Sequence, residues 1–474
     1  MTRTALVLGG GFAGLSAALN LALEGVQVTL LEQMSEVGGK AGEFMQGGFR
    51  FDLGPHVWTL PEILTELFVR AGETPPAFVP LTPLCRYTFA SGRVWDVSRD
   101  RAETAAQLSV PDAAVYLRLL GEARALYEAA APTFLFGQSP GLGKLARYGL
   151  SAGRRARPTT RLPDLLRAFG AAGDLELFFL RFATYLGADP YRAPAVLHNV
   201  AWTELGKGVF YPPGGTQGMV RRLRALAEKQ GVDVRTGVTV TRLRSSGSRV
   251  THVETDAGVF SADGVVSSLD IIRTHQLLGR RAKEEGLEPS LSGFVLLLGL
   301  EGETPGLAHH NISFPEDYRA EFTAAARGEL PADPTLYVSV SSKTDPNDAP
   351  PGCENWFVLV NAPALSPTDP IDWEVHGPRY ADHLLGVLAQ RGLDVRGRVR
   401  VQKVFTPAYL GRLAHRGAIY GTAPHTLLGT LRPKQTVRGL RNLVLAGGTV
   451  HPGGGVPLAL LSGEHAAALA EKMF

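Results

Sequence analysis

A glycine turn near the amino end constrains this chain more than any other feature. Thr4 to Leu8 is apolar, Gly9-x-Gly11-x-x-Gly14 follows, Leu15 to Leu23 has helical character, and Val26 to Leu31 is apolar and rich in β-branched residues, ending at Glu32. Strand, glycine turn, helix and strand make one βαβ unit. A dinucleotide needs these residue types at this spacing. Gly9 forms the turn, and Gly11 lets backbone amides approach a pyrophosphate at a helix N-terminus. Gly14 permits close helix packing, and Glu32, 18 residues after Gly14, accepts from ribose hydroxyls. Phe12 and Ala13, inside the turn, are expected to bind the same cofactor.

The same region could be mistaken for something else. Ala5 to Leu23 carries no charge over 19 positions, long enough for a membrane span or the apolar part of a signal peptide. Four glycines weaken a helix there, only Arg3 precedes it as a positive flank, and a strand follows in place of a cleavage site, so neither is expected. With 20% charged residues and 45% hydrophobic ones over 474 residues, the chain has the composition of a globular protein of two or three units, not of a disordered or fibrous one. A net charge of +3 gives no basic field for nucleic acid, and no nucleic-acid partner is expected. Cys85 and Cys353 have no neighbouring cysteine to form a zinc or dithiol motif; buried thiols in a reducing cytoplasm are expected, and no metal site.

Parallel-sheet signals recur in the middle (Val232 to Arg244, then Val250 to Val253 and Val259 to Ser267) and at the end (Asn442 to Ala446). The reading is an α/β fold: a discontinuous Rossmann-like cofactor domain from residues 1–60, 205–285 and 401–474. An α+β substrate domain with a helical lid is inserted in it. Segment 61–204 has helical spacing, as in Ala113 to Ala129 and Leu162 to Leu186, whereas 286–400 has strand-like runs at Gly293 to Leu300, Leu336 to Ser341 and Trp356 to Val360.

The first motif does not choose between NAD and FAD. A second glycine turn, Gly38-Gly39-Lys40, offers amides and a cation to the phosphates of a longer cofactor. Near the carboxyl end, Ala446-Gly447-Gly448-Thr449 and His451-Pro452-Gly453-Gly454-Gly455-Val456-Pro457 read as a glycine loop opening a helix whose positive end suits a reduced, anionic flavin. An ordinary Gly-Pro loop is the plain alternative for that stretch.

Together these motifs resemble the phytoene-desaturase-like branch of the flavin amine oxidase superfamily, the bacterial carotenoid desaturases. The resemblance also takes in Phe51-Asp52-Leu53-Gly54-Pro55, Tyr211-Pro212-Pro213-Gly214-Gly215, His309 to Phe314 and Glu354 to Val360. It implies FAD as cofactor, with Gly9, Gly11, Phe12, Ala13, Gly14, Glu32, Gly39, Lys40, Gly54, Pro55, His56, Val238, Gly448, Gly455 and Val456 at its site. Two departures stand out: Lys40 where Arg is usual, and His56 where Thr is more usual. Arg181 to Tyr185 with Asp189-Pro190 and Ala193-Pro194-Ala195 look most like the hydroxycarotenoid 3,4-desaturases. The implied reaction removes a hydride and a proton from adjacent carbons of a long carotenoid, creating a C-3,4 double bond in a 1-hydroxycarotenoid. A phytoene- or diapophytoene-type desaturase of unhydroxylated carotenoid, an amine or porphyrinogen oxidase, and a non-enzymatic lipid-carrying protein on the same fold are the alternatives.

Of the 12 histidines, His56 and His451 are the catalytic candidates, being those the sequence puts beside a flavin; a structural hydrogen bond suits each equally, and no base is assigned. Arg181, Thr184, Tyr185 and His198 are the polar candidates for meeting a terminal hydroxyl. Lys144, Arg147, Arg154, Arg155, Arg157, Arg161 and Arg167, interleaved with apolar residues from Phe134 onward, suit an anionic membrane surface, with a solvated arginine-rich linker as the plain alternative. The expected location is therefore cytoplasmic and peripheral to the membrane. The sequence does not fix an oligomeric state.

Overall fold

The structure, a computed structural model, describes residues 3–151, 157, 159–368 and 370–473. Its five-stranded sheet is wholly parallel, in the order Leu443–Leu445, Gly264–Ser267, Thr4–Leu8, Gln27–Leu31, Asp233–Arg235. Thr4–Leu8 is central, and the chain leaves it through the helix Phe12–Leu23 to reach Gln27–Leu31 on one side, while Gly264–Ser267 lies on the other. The carboxyl end of Thr4–Leu8 is thus a topological switch point, where α/β sheets open a crevice for a ligand.

Helices Phe12–Leu23, Gly215–Lys229 and Val456–Ala470 share the apolar core of this unit. The first and last cross in backbone contact. A Cβ on Gly463 would lie 2.3 Å from the Ala13 carbonyl oxygen, so only glycine allows the approach. The expected middle run from Val232 divides at Gly237: Asp233–Arg235 completes the parallel sheet, and Val240–Ser246 opens an antiparallel meander with Arg249–Thr255 and Gly258–Phe260.

A second sheet has seven strands, in the order Val399–Phe405, Ser292–Glu301, Cys353–Ala362, Leu336–Ser339, His310–Ser313, Cys85–Thr88, Val94–Val97. Segment 61–204 is therefore not helical throughout. Two of its strands extend the sheet built from 286–400, and Val399–Phe405 straddles the expected boundary at 400. One apolar core unites these segments: Tyr87, Trp95, Leu119 and Phe178 pack with Ile312 and Phe314. The helical part consists mainly of Val110–Phe134, Leu142–Ser151, Leu162–Ala168, Gly173–Leu180 and Asn199–Leu205.

Strand alternation gives the sheet two roles. Phe294, Leu296, Leu298, Trp356 and Val358 face the helix Trp373–Gln390 and bury a core. Val295, Phe357 and Leu359, one residue out of phase, face a cavity shared with the parallel sheet. Cys85 and Cys353 are buried free thiols, as expected.

Candidate active site

One cavity of about 1790 Å³ runs from the glycine turns to the inner face of the seven-stranded sheet. A drug-sized site occupies roughly 300–1,000 Å³, so this volume accommodates a dinucleotide and a second long molecule together.

The cofactor end is built by backbone. Gly9 has φ +94°, and Gly11 is the N-cap of Phe12–Leu23, which has no side-chain cap and no acid in its first turn. Gly9, Gly11, Phe12 and Ala13 line the cavity, leaving unsatisfied helix amides for an anion. Gly14 stands behind: its Cβ would fall 1.9 Å from the Gly9 carbonyl oxygen and 2.7 Å from Ser268 Oγ, so it keeps the turn tight against the neighbouring strand end. Glu32 lines the cavity and holds the turn, its Oε2 accepting from Gly10 N–H at 2.7 Å and its Oε1 from Met34 N–H at 2.9 Å. Both oxygens keep further lone pairs for hydroxyl donors. Val238 lines the same end, its N–H donating to the Glu32 carbonyl at 2.8 Å.

The second glycine turn lies against the first. Gly39, at φ +56°, places its Cβ direction 3.6 Å from Gly11 Cα, and a Cβ on Gly54 would meet the Lys40 carbonyl oxygen at 2.2 Å. Gly39, Gly54, Pro55 and His56 all line the cavity. Gly448, Gly455 and Val456 line it from the other side, and Val456–Ala470 also starts without a side-chain cap or a first-turn acid. Two uncapped helix N-termini thus open on one cavity, which fits a cofactor carrying negative charge.

Lys40 is engaged differently from the expectation that its cation meets a phosphate. Its Nζ donates to the Ile419 carbonyl at 2.6 Å, and burial pulls its pKa down against the nearby Asp270 carboxylate. Arg432, which sequence reading missed, is a second half-buried cation on the cavity wall. Burial lowers it to about 10, and its Nη1 donates to the Thr422 carbonyl at 2.8 Å. Lys40 answers a main-chain carbonyl 379 residues away and Arg432 one that is 10 residues away, contacts without a sequence signature.

The two histidine candidates part company. His56 Nδ1–H donates to the Gly54 carbonyl at 2.8 Å, its ring centroid is 3.9 Å from that of Phe357 in the substrate-side sheet, and burial lowers its pKa. His451 Nε2–H donates to the Gly137 carbonyl at 2.7 Å, and the neighbouring His465 donates to Phe136 at 3.1 Å. His451 therefore ties the segment after Val110–Phe134 to the terminal helix, and burial lowers it as well.

Between the glycine turns and the sheet lies a buried ion-pair knot. Arg50 donates to both Asp348 oxygens at 2.6 and 2.7 Å and to Asp52 at 3.1 Å. Tyr211 also donates to Asp348, and Asp52 accepts from the Thr216 and Gln217 amides that open Gly215–Lys229. A Cβ on Gly215 would lie 2.3 Å from Arg50 Nη1, which explains the second glycine of the Pro-Pro-Gly-Gly motif.

At the substrate end, Arg181 donates to Glu204 at 2.6 Å and lies against the rings of Tyr87, Phe182 and Tyr185; Tyr185 donates to the other Glu204 oxygen at 2.6 Å. Arg181, Thr184, Tyr185 and Glu204 line the cavity. Sequence reading missed Glu204, the partner that makes a buried Arg181 tenable. His198 is elsewhere, fully buried with its Nε2–H on the Leu119 carbonyl.

Of the basic stretch, Arg154 and Arg155 lie outside the described residues. Arg157 pairs with Glu122 and sits over Phe169, and Arg167 pairs with Asp164 and Glu176. Leu145 and Tyr148 of Leu142–Ser151, with Phe134 and Leu135, line the cavity. Among the described residues no helix is long and apolar enough to cross a membrane, and no cluster of His, Cys, Asp and Glu could hold a metal.

These features define a flavin-dependent oxidoreductase of the Rossmann-like α/β class, with FAD as its cofactor. Residues 12–470 match the flavin containing amine oxidoreductase family, to which the chain belongs. It is 32% identical over 484 residues to a 1-hydroxycarotenoid 3,4-desaturase of Flavobacterium sp. (strain P99-3), covering 98% of both chains. It is also 34% identical over 475 residues to a phytoene dehydrogenase of Streptomyces griseus (98% and 94% covered) and 33% identical to a 4,4'-diapolycopene oxygenase of Methylomonas sp (97% and 96% covered). Within the family the chain thus belongs to the carotenoid and phytoene desaturase branch. The fold is shared with cyclohexylamine oxidase from Brevibacterium oxydans IH-35A (TM-score 0.64, 17% identity, 100% and 99% covered). It is shared too with a putrescine oxidase (TM-score 0.66, 14% identity, 99% and 98% covered).

Proposed function

We propose that this protein is a carotenoid desaturase that forms the C-3,4 double bond of a 1-hydroxycarotenoid. The observation that carries the reading is the single cavity joining the glycine turns to an apolar sheet face, because a long hydrocarbon must lie beside the cofactor for a C–H bond to be broken. FAD, when bound, supplies the hydride acceptor. Gly11, Phe12, Ala13, Gly39 and the Val456 helix start would hold it, Glu32 would meet its ribose, and the Val295, Phe357 and Leu359 face would exclude water and orient the chain. A cation left on a conjugated chain is delocalised and loses its neighbouring proton readily, so a strong base is not required. Identity to the 1-hydroxycarotenoid desaturase over nearly the whole chain supports the finer substrate assignment; similar identity to a phytoene dehydrogenase supports the second reading, an unhydroxylated substrate. A competition between a carotenoid and its 1-hydroxy derivative in matched detergent, followed by new long-wavelength absorbance, separates them. Faster turnover of the hydroxylated chain is expected, and equal or faster turnover of its parent would remove that assignment.

In this reading the chain divides into a discontinuous cofactor unit and an inserted substrate unit, and works at a membrane surface in the cytoplasm. Phe134, Leu135, Leu145 and Tyr148 lie on the cavity wall beside the basic stretch, which supports lipid-side access. At about 1 kcal/mol per basic residue, Arg154→Gln with Arg155→Gln should weaken binding to anionic liposomes by roughly 30-fold. Unchanged co-sedimentation would assign the stretch to solvent.

A further inference from the structure

A hydroxyl on C-1 is three covalent bonds from C-3, so the group that recognises it must sit beside the reacting carbons and hence at the cofactor end of the cavity. We propose that His56 is that specificity-determining residue, its Nε2 accepting a hydrogen bond from the substrate's terminal hydroxyl. The inference rests on the hydroxylated-substrate reading above.

The position of His56 satisfies the geometric demand. Gly54, two residues earlier, packs on Lys40 and Ala41 at 2.2 and 2.9 Å from its Cβ direction, and that turn touches Gly11 through Gly39 at 3.6 Å. On its other side the His56 ring lies on Phe357, 3.9 Å between centroids, with Tyr337 at 6.4 Å. His56 therefore stands where the cofactor turns meet the substrate-side sheet, and it lines the cavity.

Its chemistry satisfies the second demand. A carbonyl can only accept, so the 2.8 Å contact to Gly54 puts the proton on Nδ1 and leaves Nε2 with a lone pair in the neutral ring. Burial holds the ring neutral by lowering its pKa. Nε2 has no hydrogen-bond partner among the described residues. By contrast, Tyr185 donates to Glu204, Thr184 donates to the Arg181 carbonyl, and the Tyr337 hydroxyl shares a hydrogen bond with His310 Nδ1; Arg181 donates to Glu204 through Nη2, and its unpaired Nε is a donor that cannot accept from a hydroxyl. An acceptor on the cavity wall favours the ligand that can donate to it over one that cannot.

The test uses the full-length flavin-loaded protein and three probes in matched detergent: a 1-hydroxycarotenoid, its unhydroxylated parent and its 1-methoxy ether, which has no proton to donate. Equilibrium retention of each carotenoid is read separately from turnover. Native protein should retain the hydroxylated chain about 10- to 100-fold better than the parent, with the ether behaving like the parent. With retention read per bound flavin, His56→Leu should bring the ratio of hydroxylated to parent retention down to about one, and His56→Gln, which keeps an acceptor, should preserve part of the preference. A His56→Leu protein with native preference, or equal loss of turnover on both chains with the preference intact, would overturn the assignment. If His56→Leu does not fold, the native protein still decides, because an ether held as tightly as the hydroxyl refutes the acceptor role. Native protein with no preference at all would instead refute the hydroxylated-substrate reading, and the His56 assignment with it.

Discussion

Gly11 and Gly14 belong to one motif, yet the structure gives them different reasons to be glycine, and substitution should separate these. A Cβ on Gly11 meets no protein atom nearer than the Gly38 carbonyl oxygen at 3.8 Å, and its backbone, φ −76° and ψ 179°, is extended and open to any residue. Gly11→Val should therefore fold, losing at most about 1 kcal/mol through a poorer N-cap. Its side chain would project over the helix amides that face the cavity, and flavin binding should be lost. Ligand stabilisation follows RT ln(1 + [L]/Kd), about 2.7 kcal/mol at a hundredfold excess over Kd, so the missing increment exceeds the capping loss and is separable from it. Gly14→Ala instead drives a Cβ to 1.9 Å from the Gly9 carbonyl and should disturb the turn in apoprotein and holoprotein alike. Urea unfolding with and without added FAD, together with flavin absorbance of the purified proteins, measures both effects. Stoichiometric flavin in folded Gly11→Val would refute the reasoning, as would equal destabilisation of both apoproteins.

Removing Arg50 as Arg50→Met leaves Asp348, 1% exposed, without its cation, and breaking a buried pair in this way should cost about 3–5 kcal/mol in urea unfolding. The double variant with Asp348→Leu should recover part of the loss, because it removes that stranded carboxylate while Asp52 still lacks its cation and Tyr211 its acceptor. His198 is lowered by burial to about 4, below the unfolded imidazole at about 6.5, so the unfolded chain takes up this proton first. Its contribution, about 3 kcal/mol, is complete above pH 6.5 and is lost as pH falls towards 4, so His198→Gln should flatten the stability–pH curve in that window.

What was legible in the sequence was local. The turn from Gly9 to Gly14, the acid at Glu32 and the helix opening at Val456 each depend on neighbours within about one supersecondary unit, and each lies where it was expected. What was not legible depends on pairing across the chain. Arg50 meets Asp348, 298 residues away, and no spacing rule links them. Lys40 and His451 meet main-chain carbonyls of Ile419 and Gly137, acceptors that every residue offers and none advertises. Cys85–Thr88 and Val94–Val97 are only four residues each inside a helical segment, too short for a period to declare itself. A signal for them was present: Arg86 and Asp96 face each other across the hairpin as a charge pair. Glu204 could have been sought as well, since an arginine set among Phe182 and Tyr185 needs a buried partner.

In the proposed reaction flavin and a long carotenoid share one cavity and react there. Anaerobic mixing of the purified flavoprotein with one equivalent of 1-hydroxycarotenoid tests it most directly, with oxidised-flavin absorbance and polyene absorbance recorded together. The oxidised flavin band should bleach in step with a red shift of the polyene, one flavin for one new double bond. Carotenoid bound with its chromophore unchanged and the flavin still oxidised would contradict it and favour a lipid carrier.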